Sequence, residues 1–517
     1  MKIISVQTMR DLDRATIDGG TPGEVLMERA GRGAYIELLT FADTIPEKHV
    51  QRVAIIAGKG NNGGDGYVIA RLLDQEAGIP ACVYSVCPTD ELQGDAKLNA
   101  DRLPESVPVV HCPDSLPNDA LLPGTIVVDA LLGTGISGPL RPPYPTLIKQ
   151  INESGLPVVA IDIPSGLDGD TGAIATDAVV ADSTVTMALP KTGLFNPNGR
   201  KVCGKIRCID IGIPSNLVDQ APSTGNAIFA NDIRPFLQRR PRDSHKYTFG
   251  HTVVFGGSNH YTGAPLLAAS AALRTGAGLT TVAAPESVLS RMTPTFDALI
   301  NVPVPEIPDA GPTLTREGIL QIPELGERAT ALVLGPGVGR SEHIAELTEE
   351  VLTWNLPTVI DADALICLAK TSDRFPTLDT AILTPHPGEM KKLMNGYGLD
   401  SQLVETDRTA AATELARKTG AVVVLKGMTT VIATPDGQTW LNSSGTAALA
   451  TAGTGDVLAG MIGAFLAQGL DRADAAKTAV FLHGYAAEIA TLPERGLVAD
   501  DLINLIPTAM QQVSPLA

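Results

Sequence analysis

The sequence predicts two α/β domains in one chain, the first a doubly wound parallel sheet. Short Val/Ile/Ala-rich runs recur between stretches long enough for crossover helices. These runs are continuously apolar, the pattern of parallel strands buried on both faces, and not the alternation of a half-exposed strand. The chain has 517 residues, more than one ordinary core organises.

In the first half the strand-like runs are 52–57, 80–86, 125–130, 157–161, 183–188 and 205–209. Ahead of them, Thr21-Pro22-Gly23-Glu24 has the form of a capping box with proline at the first helical position, which predicts a helix running to about Leu39. The apolar pattern lapses between about Pro214 and Asn231, a Pro/Ser/Asn-rich stretch expected to be the seam between domains. A basic patch follows, Arg239-Arg240-Pro241-Arg242, expected as a solvated loop. The second half restarts with runs at 251–255, 280–284, 331–334, 358–361, 381–384 and 421–425. An Ala-rich helix is predicted over 265–274, and a hairpin over 429–433 and 438–441 about Pro435-Asp436-Gly437. A further helix runs from Asp456 to about Gln468, with Gly469 as its stop. The halves show no internal repeat.

Composition excludes several classes. Charged residues are 19% and hydrophobic residues 44%, which argues against disorder. The net charge of −18 supplies no basic face for nucleic acid, so an anionic ligand would have to be held by local dipoles. Cys82, Cys87, Cys112, Cys203, Cys208 and Cys367 form no Cys-x-x-Cys and no zinc spacing, which reads as reduced thiols of a cytoplasmic protein. The N-terminus carries charge by Arg10 and lacks the apolar region of a signal peptide. The longest strongly apolar run, 457–470, is too short to span a bilayer, so no membrane partner is expected.

Chemistry collects at predicted strand ends. The first strand runs into Gly58-Lys59-Gly60-Asn61-Asn62-Gly63-Gly64-Asp65, which contains a formal G-x-G-x-x-G. The acidic residue that a dehydrogenase places at the end of its second strand is missing, since Asp90 and Glu91 lie only beyond it. Two further strand ends carry Asp129 and the run Asp162-Ile163-Pro164-Ser165. In an open parallel sheet, ligands bind beyond such ends. Asn62, Asp129, Asp162 and Ser165 offer hard oxygen ligands without a thiol or imidazole, a set suited to an alkali or alkaline-earth cation, with one carboxylate left for proton transfer. In the second half, Gly453-Thr454-Gly455-Asp456 opens a helix whose N-terminal amides suit phosphate or a developing oxyanion, with Asp456 able to take a proton. A Walker-type phosphate loop is absent, leaving Gly453 to Gly455 and Lys426 for that task.

The motifs TPGEVLMERAG, GNNGGDG, VDALLGTGISGPL and DIPSGLDGDTG resemble the epimerase domain of the NAD(P)H-hydrate repair enzymes, which has a Rossmann-like sheet. The GTGD loop with TPHPGE, LGPGVG, LKG and GGSNHYTGAP resembles the ribokinase-like dehydratase domain of the same system. The resemblance implies an epimerase over 1–218 and a dehydratase over 226–517. It implies that R and S hydrates, NADHX and NADPHX, are interconverted, and that the S form is dehydrated at the expense of ADP, or of ATP in some relatives. It further implies K⁺ on Asn62, Asp129 and Ser165. Epimerase substrate contacts would come from Asn61, Asn62, Gly63, Gly64, Asp65, Gly133, Thr134, Gly135, Ile136, Ser137, Gly138, Pro139 and Asp162. In the dehydratase it places substrate at Ala264, Val338, His386 and Asp456. It places nucleotide, with Mg²⁺, at Lys426, Gly427, Met428, Thr429, Thr430 and Gly455. Asp162 and Asp456 are the candidate catalytic groups, and a homo-oligomer is expected. Three rival readings exist: a vitamin-type small-molecule kinase with an accessory Rossmann-like binding domain, a binding or scaffold protein, and an NAD dehydrogenase. The first leaves the N-terminal half without a task.

Overall fold

The period-2 geometry of a strand sends Val53, Ile55 and Ala57 to one face of the first sheet and Ala54 and Ile56 to the other, and both sets are buried in apolar clusters. A computed structural model describes residues 1–45, 50–136, 138–293, 296–308, 310–375, 377–491 and 494–515. It divides into two compact units, Met1–Ala227 and Ile228–Ala517.

Taken in chain order, the first unit holds β1 (Lys2–Ile3), β2 (Arg52–Ala57), β3 (Ala81–Ser85), β4 (Val109–His111), β5 (Thr125–Ala130), β6 (Val158–Ile161), β7 (Ser183–Met187), β8 (Lys205–Ile209) and the start of β9 (Gly225–Ile228). Among the described residues, seven of these form a parallel sheet in the order β4-β3-β2-β5-β6-β7-β8. The chain grows outward from β2 to β4, then returns to β5 and grows the other way. The order therefore reverses between β2 and β5, where a crevice opens beyond the strand ends. The helices Gly23–Ala42 and Asn61–Leu72 cover one face.

The second unit holds β10 (His251–Phe255), β11 (Leu279–Pro285), β12 (Ile300–Val304), β13 (Ala331–Leu334), β14 (Thr358–Ile360), β15 (Ala381–Leu383), β16 (Val422–Leu425), β17 (Val431–Ala433) and β18 (Thr439–Asn442). From β12 through β11, β10, β13, β14 and β15 to β16 the pairing is parallel, and β17 and β18 follow β16 as an antiparallel hairpin. Val253 and Phe255 pack into one apolar cluster and Val254 into the other, so this sheet too is covered on both faces. The helix Thr454–Ala467 is buried along nearly its whole length, which explains a sequence apolar all round.

The strand cores follow the sequence reading, and the departures have local causes. The capping box at Thr21 does not form: Pro22 is the N-cap, it makes no side-chain hydrogen bond, and the helix continues past Leu39 to Ala42. The seam is structured. It contains the helix Ser215–Gln220, and β9 pairs antiparallel with β1 through Lys2↔Asn226 and Ile3↔Gly225. A two-residue strand whose partner is more than 200 residues away leaves no local pattern to read. Edge strands β4 and β12 were hidden for another reason: they are largely exposed and lack the apolar runs of the central strands. In the basic patch, Arg240 stacks its guanidinium 3.8 Å from the centre of the Phe249 ring, so this residue is engaged and not merely solvated. The six cysteines are free thiols, three of them buried. Among the described residues, no helix is long and apolar enough to cross a membrane.

Candidate functional site

In the first unit, close backbone approach builds the site before any side chain does. A Cβ on Gly58 would stand 1.8 Å from the Leu131 carbonyl oxygen, and one on Gly63 would stand 2.0 Å from that of Gly58. Only glycine lets the loop after β2 pass this close to the loop after β5. The helix begins at Asn61, so Asn61 and Asn62 lie in its first turn and Asp65 one turn further.

Asp129 is the next-to-last residue of β5 and is wholly buried. Its Oδ1 accepts from Ser165 Oγ at 2.6 Å and from the Leu131 amide at 3.3 Å, and its Oδ2 accepts from the Ser165 amide at 2.8 Å. Burial still prevails over these bonds and pushes its pKa up to about 6. Both amide atoms of Asn62 are buried without a hydrogen-bond partner. A carboxylate short of charge compensation and an orphaned amide oxygen are what a monovalent cation would satisfy.

Asp162, just beyond β6, has φ of 66°, a left-handed conformation rare for a residue with a side chain. Its Oδ1 accepts from Lys191 Nζ at 2.5 Å, from Thr186 Oγ1 at 3.2 Å and from the Met187 amide at 3.3 Å. Lys191 is fully buried, and its ammonium also donates to Thr186 Oγ1 and the Met187 carbonyl. All donors fall on one carboxylate oxygen, which leaves Oδ2 unoccupied by any described residue.

Around these groups lies a cavity of about 1000 Å³. Asn61, Asn62, Asp65, Gly133, Thr134, Gly135, Ile136, Pro139 and Asp162 line it, together with Asp13 and Lys191, which the sequence reading missed. Asp129, Ser165, Gly63, Gly64 and Gly138 do not line it, and Ser137 lies outside the described residues. Asp13 carries a pKa of about 6, and Asp65 is raised well above the ordinary carboxylate range, both chiefly by burial.

In the second unit the loops after β14, β15 and β16 meet the N-terminus of the helix Thr454–Ala467. Lys426 Nζ lies 2.8 Å from Asp361 Oδ1, which also accepts from Thr384 Oγ1 at 2.7 Å. The Lys426 ammonium sits close enough to Gly455 that a Cβ there would stand 3.4 Å from it. Burial and the nearby Asp361 charge raise Asp456 to about 7, and Glu389 reaches about 7 chiefly through burial. His483 supports the loop from beneath: its Nε2 lies 2.8 Å from the Thr454 carbonyl, and burial lowers its pKa to about 4, so the neutral ring donates.

His386 is engaged as a cap. Its Nδ1 accepts from the Gly388 and Glu389 amides at 2.9 and 3.4 Å, while Glu389 Oε2 accepts from the His386 amide at 2.8 Å. That reciprocal pair closes the helix Pro387–Gly396 and leaves the imidazole edge half exposed. Ala264 faces Gly337, next to the buried Val338. In the loop after β16, Arg408 donates to the Lys426 carbonyl at 2.9 Å, Thr430 Oγ1 bonds the Gly427 carbonyl, and Met428 is exposed. The sequence reading gave no role to Asp361 or His483, nor to Glu389, which it met only as the end of the TPHPGE motif. Their signal was weak: one acidic residue or histidine after an apolar run is common as plain structure.

Comparison with known proteins adds independent findings. A family model described as NAD(P)H-hydrate dehydratase matches residues 252–508, and one described as YjeF-related protein N-terminus matches 23–193. The chain is 37% identical, over 96% of both chains, to a bifunctional NAD(P)H-hydrate repair enzyme of Coxiella burnetii. It is 33% identical, over 93% of this chain and 88% of the relative, to the bifunctional NAD(P)H-hydrate repair enzyme of Escherichia coli. Among solved structures, an ADP/ATP-dependent NAD(P)H-hydrate dehydratase of Bacillus subtilis co-crystallised with ATP and Mg²⁺ is similar at 32% identity and a TM-score of 0.48, covering 56% of this chain and 99% of that one.

Proposed function

The chain belongs to the bifunctional NAD(P)H-hydrate repair enzymes, and from that premise we propose how its two units divide the work. Residues 1–218 interconvert the R and S hydrates of NADH and NADPH, and residues 226–517 dehydrate the S form with ADP or ATP. The observation that carries this reading is the meeting of Lys426, Asp361 and Asp456 at the first turn of one helix, since a phosphoryl group needs a cation, backbone amides and a base in one place.

Hydroxide is a poor leaving group, whereas a phosphorylated hydroxyl departs readily. Asp456 takes the proton of the C6 hydroxyl as that oxygen attacks the terminal phosphoryl group, and AMP leaves when ADP is the donor. The ring nitrogen then expels phosphate from C6, a proton leaves C5, and the dihydronicotinamide is restored. Lys426 and the amides of Gly455 and Asp456 hold phosphate oxygens, and the loop Lys426, Gly427, Met428, Thr429 and Thr430 seats the nucleotide. Ala264, Val338 and the exposed edge of His386 receive the hydrate. Among the described residues no group of three or more His, Cys, Asp or Glu forms a metal cage, so Mg²⁺ would be held by the nucleotide phosphates with one or two carboxylates near Lys426. Bound there, Mg²⁺ would neutralise charge on the phosphates.

In the first unit the cavity is at the upper end of the usual range for ligand pockets and has room for a dinucleotide. Gly63, Gly64, Ser137 and Gly138 belong to the loops that would enclose the substrate. Asn62, Asp129 and Ser165 would hold K⁺, which would compensate the buried carboxylate and tie three strand-end loops together. Asp162 would act on the hydrate through its open Oδ2.

The test is to incubate pure S hydrate of NADH with Mg²⁺ and ADP, and to quantify NADH, AMP and phosphate. The expected result is one of each per hydrate consumed. Recovery of NADH without nucleotide cleavage, or a stable phosphorylated product, would overturn the reading.

A further inference from the structure

Four carboxyl groups, those of Asp13, Asp65, Asp95 and Asp162, line the first unit's cavity with the ammonium groups of Lys59 and Lys191, yet they are held differently. Asp162 is ion-paired: Lys191 lies against it, and every donor falls on Oδ1, leaving Oδ2 open. Asp13 has the opposite environment. It lies on the helix Val6–Asp18, where Met9, Asp13 and Ile17 repeat at four-residue spacing along the stripe that faces the cavity. Among the described residues its carboxyl has no hydrogen-bond partner. Such a half-buried, unpartnered carboxyl retains its proton more readily than an exposed one. Asp65 is the more deeply buried, and burial raises it well above the ordinary carboxylate range.

We infer that Asp13 is the proton donor that works opposite Asp162 in hydrate epimerisation, with Lys191 as the positioning residue that keeps Asp162 the acceptor. The inference rests on the epimerase reading above and deepens it. Asp13 precedes the segment matched by the family model, so nothing in that match assigns it a role.

The chemistry balances without any co-reactant. C6 of the hydrate bears a hydroxyl and is bonded to the ring nitrogen, which makes it a hemiaminal. Asp162 Oδ2 removes the hydroxyl proton, the C6–N1 bond breaks with its electron pair going to N1, and the Asp13 carboxyl gives its proton to N1. The product is an open-chain aldehyde. Rotation about C5–C6 presents the other carbonyl face, N1 attacks it, the N1 proton returns to Asp13, and Asp162 returns its proton to oxygen. Both carboxyls end as they began. Two acids whose surroundings separate their proton affinities form a working acid–base pair.

Burial first, and then the Asp162 charge, raise Asp13 to about 6, while Lys191 opposes the shift. The Asp65 carboxyl also bears on it, and Arg10, Lys59, Asp95 and Arg141 line the same cavity. The donor must carry its proton, so epimerisation per substrate encounter falls about tenfold per pH unit above that value.

The test uses the full chain without nucleotide, so that dehydration does not compete, and follows R and S hydrates by chromatography from pH 5 to 9. Asp13→Asn is expected to lower kcat by about 10²–10⁴-fold with KM little changed, and to abolish the descending limb of the pH profile. Asp13→Glu is expected to keep that limb at a shifted position, which guards against a variant that merely misfolds. Near-normal turnover in Asp13→Asn, or an unchanged descending limb, would overturn the assignment, as would transfer of both effects to Asp65→Asn. If the unsubstituted chain fails to interconvert the hydrates, the epimerase reading itself fails, a result separable from all of these.

Discussion

Lys426 Nζ lies 2.8 Å from Asp361 Oδ1, and this ion pair sits against the first turn of the helix that carries Asp456. Burial opposes the lysine charge, but Asp361 and Glu389 beside it hold its pKa above the ordinary lysine range. The ammonium is thus a fixed positive charge at a helix N-terminus, where the backbone dipole adds to it.

Lys426→Met is expected to weaken nucleotide binding more than tenfold, measured by calorimetry with ADP. It also leaves Asp361 buried without its partner, which costs about 3–5 kcal/mol. Thermal unfolding should show the second loss. Nucleotide affinity unchanged in a folded variant would remove Lys426 from the phosphate site.

Asp456→Asn keeps the shape of the loop and removes the proton acceptor. Dehydration of pure S hydrate is expected to fall by about 10²–10⁴-fold while ADP binding survives. In the unsubstituted enzyme the base must be ionised, so the rate should rise as pH climbs through about 7. A variant near full activity would contradict the role.

The same substitution has a stability signature. Asp456 is raised from 3.8 to about 7, so between those values the folded state holds a proton that the unfolded state has released. Stability therefore falls as pH rises through that window, by about 1.4 kcal/mol per pKa unit. Asp456→Asn lacks the penalty. It should be the more stable protein at pH 8, by on the order of a few kcal/mol, with the advantage fading towards pH 4. Equal unfolding curves at both pH values would contradict the burial argument.

Asp129→Ala should remove the proposed cation site. K⁺ is expected to raise the melting temperature and epimerisation rate of the unsubstituted chain and to do neither in the variant. Dehydration of pure S hydrate should be unaffected. Identical behaviour in K⁺ and in tetramethylammonium would count against the site.

What the sequence revealed follows a physical division. Strands such as β2, β5, β10 and β13 were legible to the residue because a strand buried on both faces writes a continuous apolar run. The glycine loops were legible because close backbone approach admits one residue type, as at Gly58 and Gly63. Lys191 and Asp13 were not. A buried lysine looks like a surface one in sequence, and its partner Asp162 is 29 positions away. Asp13 lies among other charges on an amphipathic helix, where only the fold distinguishes the face turned to the cavity. His386 was located but its engagement as a helix cap was not, since capping depends on hydrogen bonds to amides that the sequence does not display.

The central claim is that one chain carries two sites with separate duties, and a 340 nm progress curve on mixed R and S hydrates with ADP and Mg²⁺ tests it most directly. The unsubstituted chain is expected to restore NADH from both epimers to completion. Asp162→Asn is expected to convert the S fraction promptly and then slow to the rate of spontaneous epimerisation, with full recovery when active first-unit function is supplied by Asp456→Asn protein. If Asp162→Asn consumed both epimers at the unsubstituted rate, or if the unsubstituted chain restored no 340 nm absorbance, the division of labour described here would be wrong.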